Sequence, residues 1–280
     1  MQGYRIRNLN QNELTLAIDW AAAEGWNPGL NDADLFYFGD ANGFFAGEID
    51  GRIVAVGSAV CYDDHYAFCG LYIVDPQFRG RGLGLALTKA RLEYCGDRNV
   101  GIDGVLENVA IYQRVGYRPF YMNHRFQTQA QERGFDDRCL RSIREEHMDD
   151  ILAYDRRCFP ASRELFLRAW IRQAEGKSIV FESENQIRGF AVRRRCREGY
   201  KIGPLFADDS HVARELLNAL QSDILGATLY LDVPENNPAA LDMVREYSMQ
   251  EVFATMRMYR DGLPEMEHRK VFGITTFELG

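Results

Sequence analysis

The stretch from Leu71 to Gly84 constrains the fold more than any other part of this sequence. An apolar segment breaks at Pro76 into a loop that contains Gly80 and Gly82, and a helical pattern follows directly. A strand, a glycine-dense turn and a helix in this order direct unpaired backbone N–H groups and the positive end of the helix dipole at one point. Glycines also permit positive φ angles and a close approach to the backbone. The sequence therefore predicts a binding site for a pyrophosphate group.

The glycine spacing separates this loop from the common nucleotide-binding loops. No Lys-Ser or Lys-Thr follows the glycines, which excludes a P-loop, and the spacing G-x-G-x-G differs from the dinucleotide fingerprint G-x-G-x-x-G. Arg79–Gly84 instead fits R/Q-x-x-G-x-G/A, and Val74–Gly80 provides the lead-in V-x-P-x-x-R-G. The segment resembles the acetyl-CoA pyrophosphate loop of the GCN5-related N-acetyltransferase (GNAT) superfamily.

A second motif follows at the position where that family has one. Gly101–Leu106 is typical of a short strand, and Glu107–Tyr117 of a short helix ended by Gly116. The order of Asn108, Tyr112 and Gly116 is similar to the family pattern, with fewer residues than usual between the asparagine and the tyrosine. The resemblance implies that Asn108 binds pantetheine and that Tyr112 is the acid for the departing thiolate. A tyrosine that only packs in the interior fits the sequence equally well.

The resemblance also implies how acetyl-CoA binds and reacts. Its pantetheine would lie along the strand as an added strand, its pyrophosphate would bind the glycine loop, and the backbone N–H of Val74 would polarise the thioester carbonyl. The implied catalytic residues are Tyr112 and Val74. The implied cofactor-binding residues are Tyr72, Ile73, Val74, Arg79, Gly80, Arg81, Gly82, Leu83, Gly84, Asn108 and Tyr112. For the general base the sequence leaves several residues near strand ends open: Glu48, Asp63, Asp64, His65, Asp103 and Glu107.

The acceptor side of the site is predicted after the first helix. Trp26, Asn27 and Asp32 are the predicted substrate-binding residues, because this region borders the acceptor site in GNAT proteins and an aromatic ring beside a carboxylate suits an amine. The alternative is a tight turn anchored by a buried indole. The sequence favours a small amine, amino acid or polyamine over a protein N-terminus or lysine. The resemblance implies direct attack of the amine in a ternary complex.

Composition limits the partners of the 280-residue chain. A net charge of −8 argues against nucleic acid, and no apolar run reaches the ~20 residues of a membrane span. Because residues 1–7 also lack the apolar region of a signal peptide, a cytoplasmic location is expected. Six scattered cysteines indicate neither a metal site nor a disulfide framework. The basic run Arg193–Arg197 is typical of a solvated strand end. Oligomeric state is not indicated.

The second half of the sequence looks like a degenerate copy of the first. Arg141–Arg144, Gln186–Val192 and Val233–Asn236 repeat patterns of the first half, whereas Tyr200–Asp209 stands where the glycine loop would be and has one glycine and a proline. The second half also resembles the C-terminal domain of the YitH/HolE-type tandem acetyltransferases. That resemblance rests on Cys158–Pro160, Arg163, Pro204–Ala207, Asp232–Pro234, Arg257–Tyr259 and the terminal Val271–Gly280.

The sequence therefore predicts an α/β fold with a mixed sheet, built from tandem GNAT-like domains. Residues 1–135 would be an active copy with the acetyl-CoA site, and residues 138–280 a degenerate copy without CoA. The expected function is acetyl-CoA-dependent transfer to a primary amine. Two alternatives from other classes are a CoA-binding regulatory module without turnover and an interaction protein in which both halves have lost chemistry; a protein N-acetyltransferase is a further alternative.

Overall fold

The strands of the chain form one continuous mixed sheet in a computed structural model that describes residues 3–280. The strands are β1 Tyr4–Asn8, β2 Phe44–Ile49, β3 Arg52–Cys61, β4 Tyr66–Val74, β5 Asn99–Val105, β6 Arg118–Gln129, β7 Leu140–Ser142, β8 Lys177–Ser183, β9 Gln186–Arg195, β10 Tyr200–Ala207, β11 Thr228–Pro234, β12 Gln250–Tyr259 and β13 Val271–Gly273. The helices are α1 Gln11–Ala23, α2 Asp32–Phe36, α3 Leu83–Cys95, α4 Val109–Arg114, α5 Met148–Cys158, α6 Glu164–Ile171, α7 Ser210–Gln221 and α8 Pro238–Glu246.

The order of elements repeats once along the chain. A strand, two helices, three strands, a helix, a strand, a helix and a strand follow each other from β1 to β6, and again from β7 to β12. The predicted tandem arrangement of two similar units is confirmed. The expected boundary between residues 135 and 138 falls in the connection between β6 and β7 and stays a prediction. Below, residues 3–135 are called the first half and residues 138–280 the second half.

The two halves exchange equivalent strands at the centre of the sheet. The sheet order is β1-β2-β3-β4-β5-β12-β6-β11-β10-β9-β8-β7, with β13 paired to β10. Strand β12 of the second half pairs with β5 of the first, and β6 of the first half pairs with β11 of the second. The sheet of each half is therefore completed by a strand from the other half.

Several local predictions agree with the structure. Strand β4 spans Tyr66–Val74 and α3 begins at Leu83, as the sequence pattern indicated. Asp50 and Gly51 form the turn between β2 and β3 with positive φ angles of 50° and 78°. Two successive residues with positive φ are what a tight hairpin turn requires, which explains the Asp-Gly pair.

The segment Tyr200–Asp209 differs from its predicted role as the counterpart of the glycine loop. Most of it is strand β10, the counterpart of β4, and only a short turn separates β10 from α7. In that turn the Asp209 side chain accepts hydrogen bonds from the N–H groups of His211 and Val212, at 2.9 and 3.0 Å. A carboxylate therefore occupies the helix N-terminus that would face a pyrophosphate.

Two arginines of the basic run, Arg193 and Arg194, are buried, which corrects part of the expectation of a solvated strand end, whereas Arg195 and Arg197 are exposed as expected. Arg194 is fully buried, lies over the ring of Trp170 and pairs with Asp32 at 3.1 Å. Arg193 is also buried and pairs with Asp223 at 2.6 Å. Because β9 lies inside the sheet, its alternating side chains reach helices on both faces. No helix in the described part of the chain is long and apolar enough to cross a bilayer.

Candidate active site

A cleft of about 550 Å³ opens where β4 separates from β5. The two strands pair in parallel only through Tyr66–Cys69 of β4. The register of β4 against β3 then shifts around Leu71, whose φ is 45°. Because β4 continues to Val74 without β5 beside it, one edge of its last residues is left without a neighbouring strand.

Gly70, just before this bulge, allows the C-terminal segment of the chain to approach β4. An added Cβ at Gly70 would lie 2.0 Å from the carbonyl oxygen of Glu278. The N–H of Gly70 donates to the Oγ of Ser58 at 3.0 Å. A side chain at position 70 would therefore displace the C-terminal segment, and only glycine fits.

The free edge of β4 offers a backbone donor to the cleft. The N–H of Asp75 donates to the carbonyl oxygen of Val54 on β3 at 3.0 Å. Successive N–H groups of a strand point to opposite sides, so the N–H of Val74 points away from β3 and that of Ile73 towards it. Among the predicted strand residues, Val74 therefore offers its N–H to the cleft, whereas Ile73 contributes only its side chain.

Two different structural requirements explain the glycines of the loop. Gly80 and Gly82 have φ angles of 75° and 79°, and an added Cβ at either would meet nothing within 4 Å. These two keep the loop open and in a left-handed conformation that favours glycine. At Gly84 an added Cβ would lie 2.1 Å from the hydroxyl of Tyr72, so this glycine lets α3 pack on β4.

The N-terminus of α3 faces the cleft with free amide groups. Its N-cap is Gly82, which has no side chain to accept hydrogen bonds from the first turn. Leu83 and Gly84, the first residues of the helix, line the cleft. The unpaired first-turn N–H groups and the helix dipole together favour an anion at this point. At the start of α7, by contrast, the side chain of Asp209 accepts hydrogen bonds from the first-turn N–H groups.

The two arginines of the loop make different contacts. The Nε of Arg79 donates to the carbonyl oxygen of Val74 at 2.8 Å, and its guanidinium pairs with Glu24 at the end of α1. Arg79 lines the cleft. Arg81 donates to the carbonyl oxygen of Gln77 at 2.9 Å and is not among the residues that line the cleft.

Tyr112 and Asn108 lie on the opposite wall of the cleft. They are four positions apart, Asn108 at the N-cap of α4 and Tyr112 within the helix, a spacing that places both on one face of a helical turn. An added Cβ at Gly104 would lie 2.6 Å from the ring of Tyr112, so the ring packs directly on β5. Burial raises the pKa of Tyr112 above its usual value, an effect partly offset by the neighbouring side chain of Asn108. Tyr112 is therefore protonated at neutral pH.

The second half supplies one side of the cleft. Phe253 and Thr255 come from β12, and Phe277 and Glu278 from the C-terminal segment. β12 reaches the cleft because it pairs with β5, with Thr255 opposite Val105. None of these four residues was predicted to belong to the site. The terminal segment was conspicuous as a motif, but nothing in the sequence indicated that it meets β4.

Of the three predicted acceptor residues, one lies at the cleft and two do not. Trp26 lines the cleft. The side-chain amide of Asn27 donates to the carbonyl oxygen of Glu198 and accepts from the N–H of Glu198, at 2.9 Å each. Asp32 is fully buried, accepts from the N–H of Gly29 at 2.7 Å and pairs with Arg194. Asn27 and Asp32 thus connect the two halves of the chain outside the cleft. Neither side chain lines the cleft, where an acceptor would bind.

Two of the residues considered for the general base line the cleft, Asp103 and Glu107. Glu107 is exposed. Asp103 is buried, and both of its oxygens accept from Arg257, at 2.8 and 2.7 Å. Outside the cleft, Glu48 pairs with Arg7 at 2.8 Å. Asp63 accepts from the backbone of its own turn, and Asp64 and His65 are exposed.

Comparison with known families and structures agrees with this architecture. Residues 5–117 match the model of the acetyltransferase (GNAT) family, and residues 151–273 match an acetyltransferase (GNAT) domain model. The chain is also similar to solved structures whose sequence identity is low, so this similarity concerns the fold alone. One is an acetyltransferase-like protein from Pyrococcus horikoshii, with a TM-score of 0.85, 19% identity and coverage of 100% of this chain and 97% of that one. Another is a tandem GNAT protein from the clavulanic acid biosynthesis pathway, with a TM-score of 0.63, 12% identity and coverage of 91% and 98%.

Two curated relatives are similar in sequence. Holothin acyltransferase of Pseudoalteromonas sp. (strain SANK 73390) is 30% identical over 280 residues, which is 100% of this chain and 95% of that protein. The uncharacterized N-acetyltransferase YitH of Bacillus subtilis (strain 168) is 26% identical over 184 residues, 63% of this chain and 64% of the relative. The similarity to the first relative extends over both halves.

Proposed function

The chain belongs to the GNAT family of acyltransferases, whose acyl donor is acetyl-CoA, and from that premise we propose that it acetylates the primary amine of a small molecule. The observation that carries the proposal is the cleft of the first half, where the free edge of β4, the open loop and the uncapped α3 lie side by side. Bound acetyl-CoA would supply an activated acetyl group as a thioester. The amine would attack it directly, with both substrates bound.

The residues of the first half fit this donor. The backbone of Tyr72–Val74 would hold the pantetheine, with the Val74 N–H as the donor on the free edge and Asn108 as a side-chain partner. The loop residues and the start of α3 would hold the pyrophosphate: Arg79, Gly80, Arg81, Gly82, Leu83 and Gly84. Here Arg81 would act through its backbone, because its side chain lies outside the cleft.

Two groups would act on the reacting bond. The N–H of Val74 would donate a hydrogen bond to the acetyl oxygen and stabilise the negative charge that develops there. Tyr112 would donate its proton to the departing sulfur, a role that suits a hydroxyl kept protonated by burial. A thiol needs this help less than an amine or alcohol would, since its own pKa is low.

We further propose that only the first half binds acetyl-CoA. In the second half, the opening between β10 and β11 is filled by the chain itself, because β13 pairs with β10 through Leu205 and Phe206. An added Cβ at Gly203 would lie 2.4 Å from the carbonyl oxygen of Thr275. β13 thus occupies the edge that pantetheine would need, and Asp209 occupies the helix N-terminus.

The acceptor is proposed to be a small amine that enters beside Trp26. On this side Trp26, Phe253 and Phe277 line the cleft, and their rings would pack against the body of a small acceptor. The relative with 30% identity is named for holothin, so holothin is the first acceptor to test. Benzylamine, tyramine and spermidine would cover other amine shapes.

Isothermal titration with acetyl-CoA tests the donor site and its stoichiometry. We expect one site per chain. Replacing Gly82 with Asn should keep the fold, because Asn tolerates the left-handed conformation and the space is open, whereas Gly82→Val should strain the loop and lose binding. Two sites would contradict the filled opening of the second half, and absence of binding to the wild-type protein would contradict the proposed function.

A further inference from the structure

Two buried polar side chains of the second half point to an unassigned role in the cleft. Glu278 and Thr255 are only 3% and 2% exposed, and both line the cleft. Neither Glu278 Oε2 nor Thr255 Oγ1 has a hydrogen-bond partner among residues 3–280. Buried polar atoms are nearly always paired, and an unpaired buried carboxylate oxygen is costly. A ligand bound in the cleft would supply a partner for both atoms.

The environment of Glu278 lets it hold and release a proton. Cationic groups from three strands act on it, Arg125 from β6, Arg194 from β9 and Lys201 from β10, and they are opposed by the carboxylate of Asp32. Burial nevertheless dominates and raises the pKa of Glu278 above its usual value. A base is most effective when its pKa lies close to the working pH, so this shift is in the useful direction.

Asp103 is the natural comparison, because its side chain is also buried in the cleft lining and burial raises its pKa as well. Its oxygens are fully used by Arg257 and by the side-chain amide of Asn123, which donates at 2.7 Å. Protonation of Asp103 would break a buried ion pair, whereas protonation of Glu278 breaks no hydrogen bond with a described residue. Of these two carboxylates, Glu278 is the one free to accept a substrate proton.

We propose that Glu278 is the general base of the acetyl transfer and that Thr255 orients the acceptor amine. This inference rests on the proposed function. As the amine nitrogen bonds to the acetyl carbon, the carbon–sulfur bond breaks and its electron pair stays on sulfur. Glu278 takes the proton that nitrogen loses, and Tyr112 gives sulfur the proton that completes CoA. The products are an amide and free CoA, and both side chains then exchange protons with solvent.

The surroundings of Glu278 and Thr255 also specify the class of acceptor. Phe277 precedes Glu278, its ring lies 5.9 Å from that of Phe253, and Trp26 lines the same cleft. An acceptor with a primary amine on a compact apolar or aromatic body would place its nitrogen at Glu278 and its body among these rings.

The experiment measures CoA release by wild type, Glu278→Gln and Glu278→Asp, with benzylamine, with holothin and with water alone as the nucleophile. We expect Glu278→Gln to lower kcat by about 10²-fold or more while its acetyl-CoA affinity changes less than about twofold. Glu278→Asp should recover part of the rate. The control is Glu265→Gln, which changes an exposed carboxylate in the loop between β12 and β13 and should match wild type.

The pH profile separates a base from a structural carboxylate. In wild type, kcat/KM should fall as the pH drops through the pKa of Glu278, which lies above the ordinary glutamate value of about 4.3. Glu278→Gln should lack this limb. A Glu278→Gln enzyme with an unchanged kcat and an unchanged acidic limb would overturn the proposal. Thr255→Val should raise KM for the amine more than it lowers kcat.

A second measurement keeps the test independent of the acceptor. Binding of acetyl-CoA covers Glu278 further, so wild type should take up protons near the pKa of Glu278, and Glu278→Gln should take up fewer. Titration in buffers of different ionisation enthalpy measures this uptake. Equal uptake by both proteins would count against Glu278, whereas absence of acetyl-CoA binding to wild type would contradict the proposed function instead.

Discussion

Replacing Gly70 with Ala tests whether the C-terminal segment positions the reacting groups. The added Cβ would lie 2.0 Å from the carbonyl oxygen of Glu278, where real Cβ atoms essentially never approach below 3.0 Å. The two must separate by about 1 Å, and the obstacle is backbone rather than a flexible side chain. Overpacking of this kind costs about 1–3 kcal/mol, which corresponds to a fall in Tm of roughly 2–10 °C for a chain of this size.

The same displacement should affect turnover more than binding. A catalytic group moved by about 1 Å can lose about 10²-fold in rate. We therefore expect Gly70→Ala to lower kcat strongly, with a smaller change in acetyl-CoA affinity measured by titration. Gly134→Ala is the matched control, because an added Cβ there meets nothing within 4 Å and its φ is ordinary. If Gly70→Ala keeps both its Tm and its kcat, the segment is not fixed against β4 and the argument fails.

Two further substitutions test the opposite wall of the cleft. Tyr112→Phe should lower kcat by about 10²-fold with little change in acetyl-CoA affinity, because only the proton donor is lost; equal turnover in a thiol-release assay would leave Tyr112 as a packing residue. Asp103→Asn should lower the free energy of unfolding by about 3–5 kcal/mol, because Arg257 would be left buried and unpaired. Urea unfolding measures this, and a loss below about 1 kcal/mol would refute it.

The donor side of the cleft could be predicted from the sequence because it is local. The strand, the loop and the helix that form it are consecutive, and their geometry follows from the glycines at positions 80 and 82 and from the apolar pattern before them. Even here the reason for Gly84 was not accessible, since it depends on the Tyr72 hydroxyl packed above it. Local sequence identifies an open backbone but does not reveal which side chain fills a space.

The acceptor side could not be predicted because it is assembled from distant segments. Thr255 reaches the cleft only through the pairing of β12 with β5, and Glu278 only because Gly70 admits the C-terminal segment. Neither contact leaves a periodic or spaced pattern in the sequence. Asn27 and Asp32 stand at the sequence position expected for an acceptor contact, but their partners Glu198 and Arg194 direct them to the junction between the halves.

The exchange of strands explains why the second half matters for a site whose donor residues lie in the first. Without β12, the edge of β5 opposite the cleft would have no partner, and Thr255 and Phe253 would be absent from the cleft wall. The C-terminal segment extends this dependence, because it fills the opening of the second half through β13 and then continues to Gly70. The C-terminal segment therefore fills the position of a potential acetyl-CoA site in the second half and also brings Glu278 to the acetyl-CoA site proposed in the first half. A second half without its own donor site would still be required for catalysis, since it supplies the proposed base.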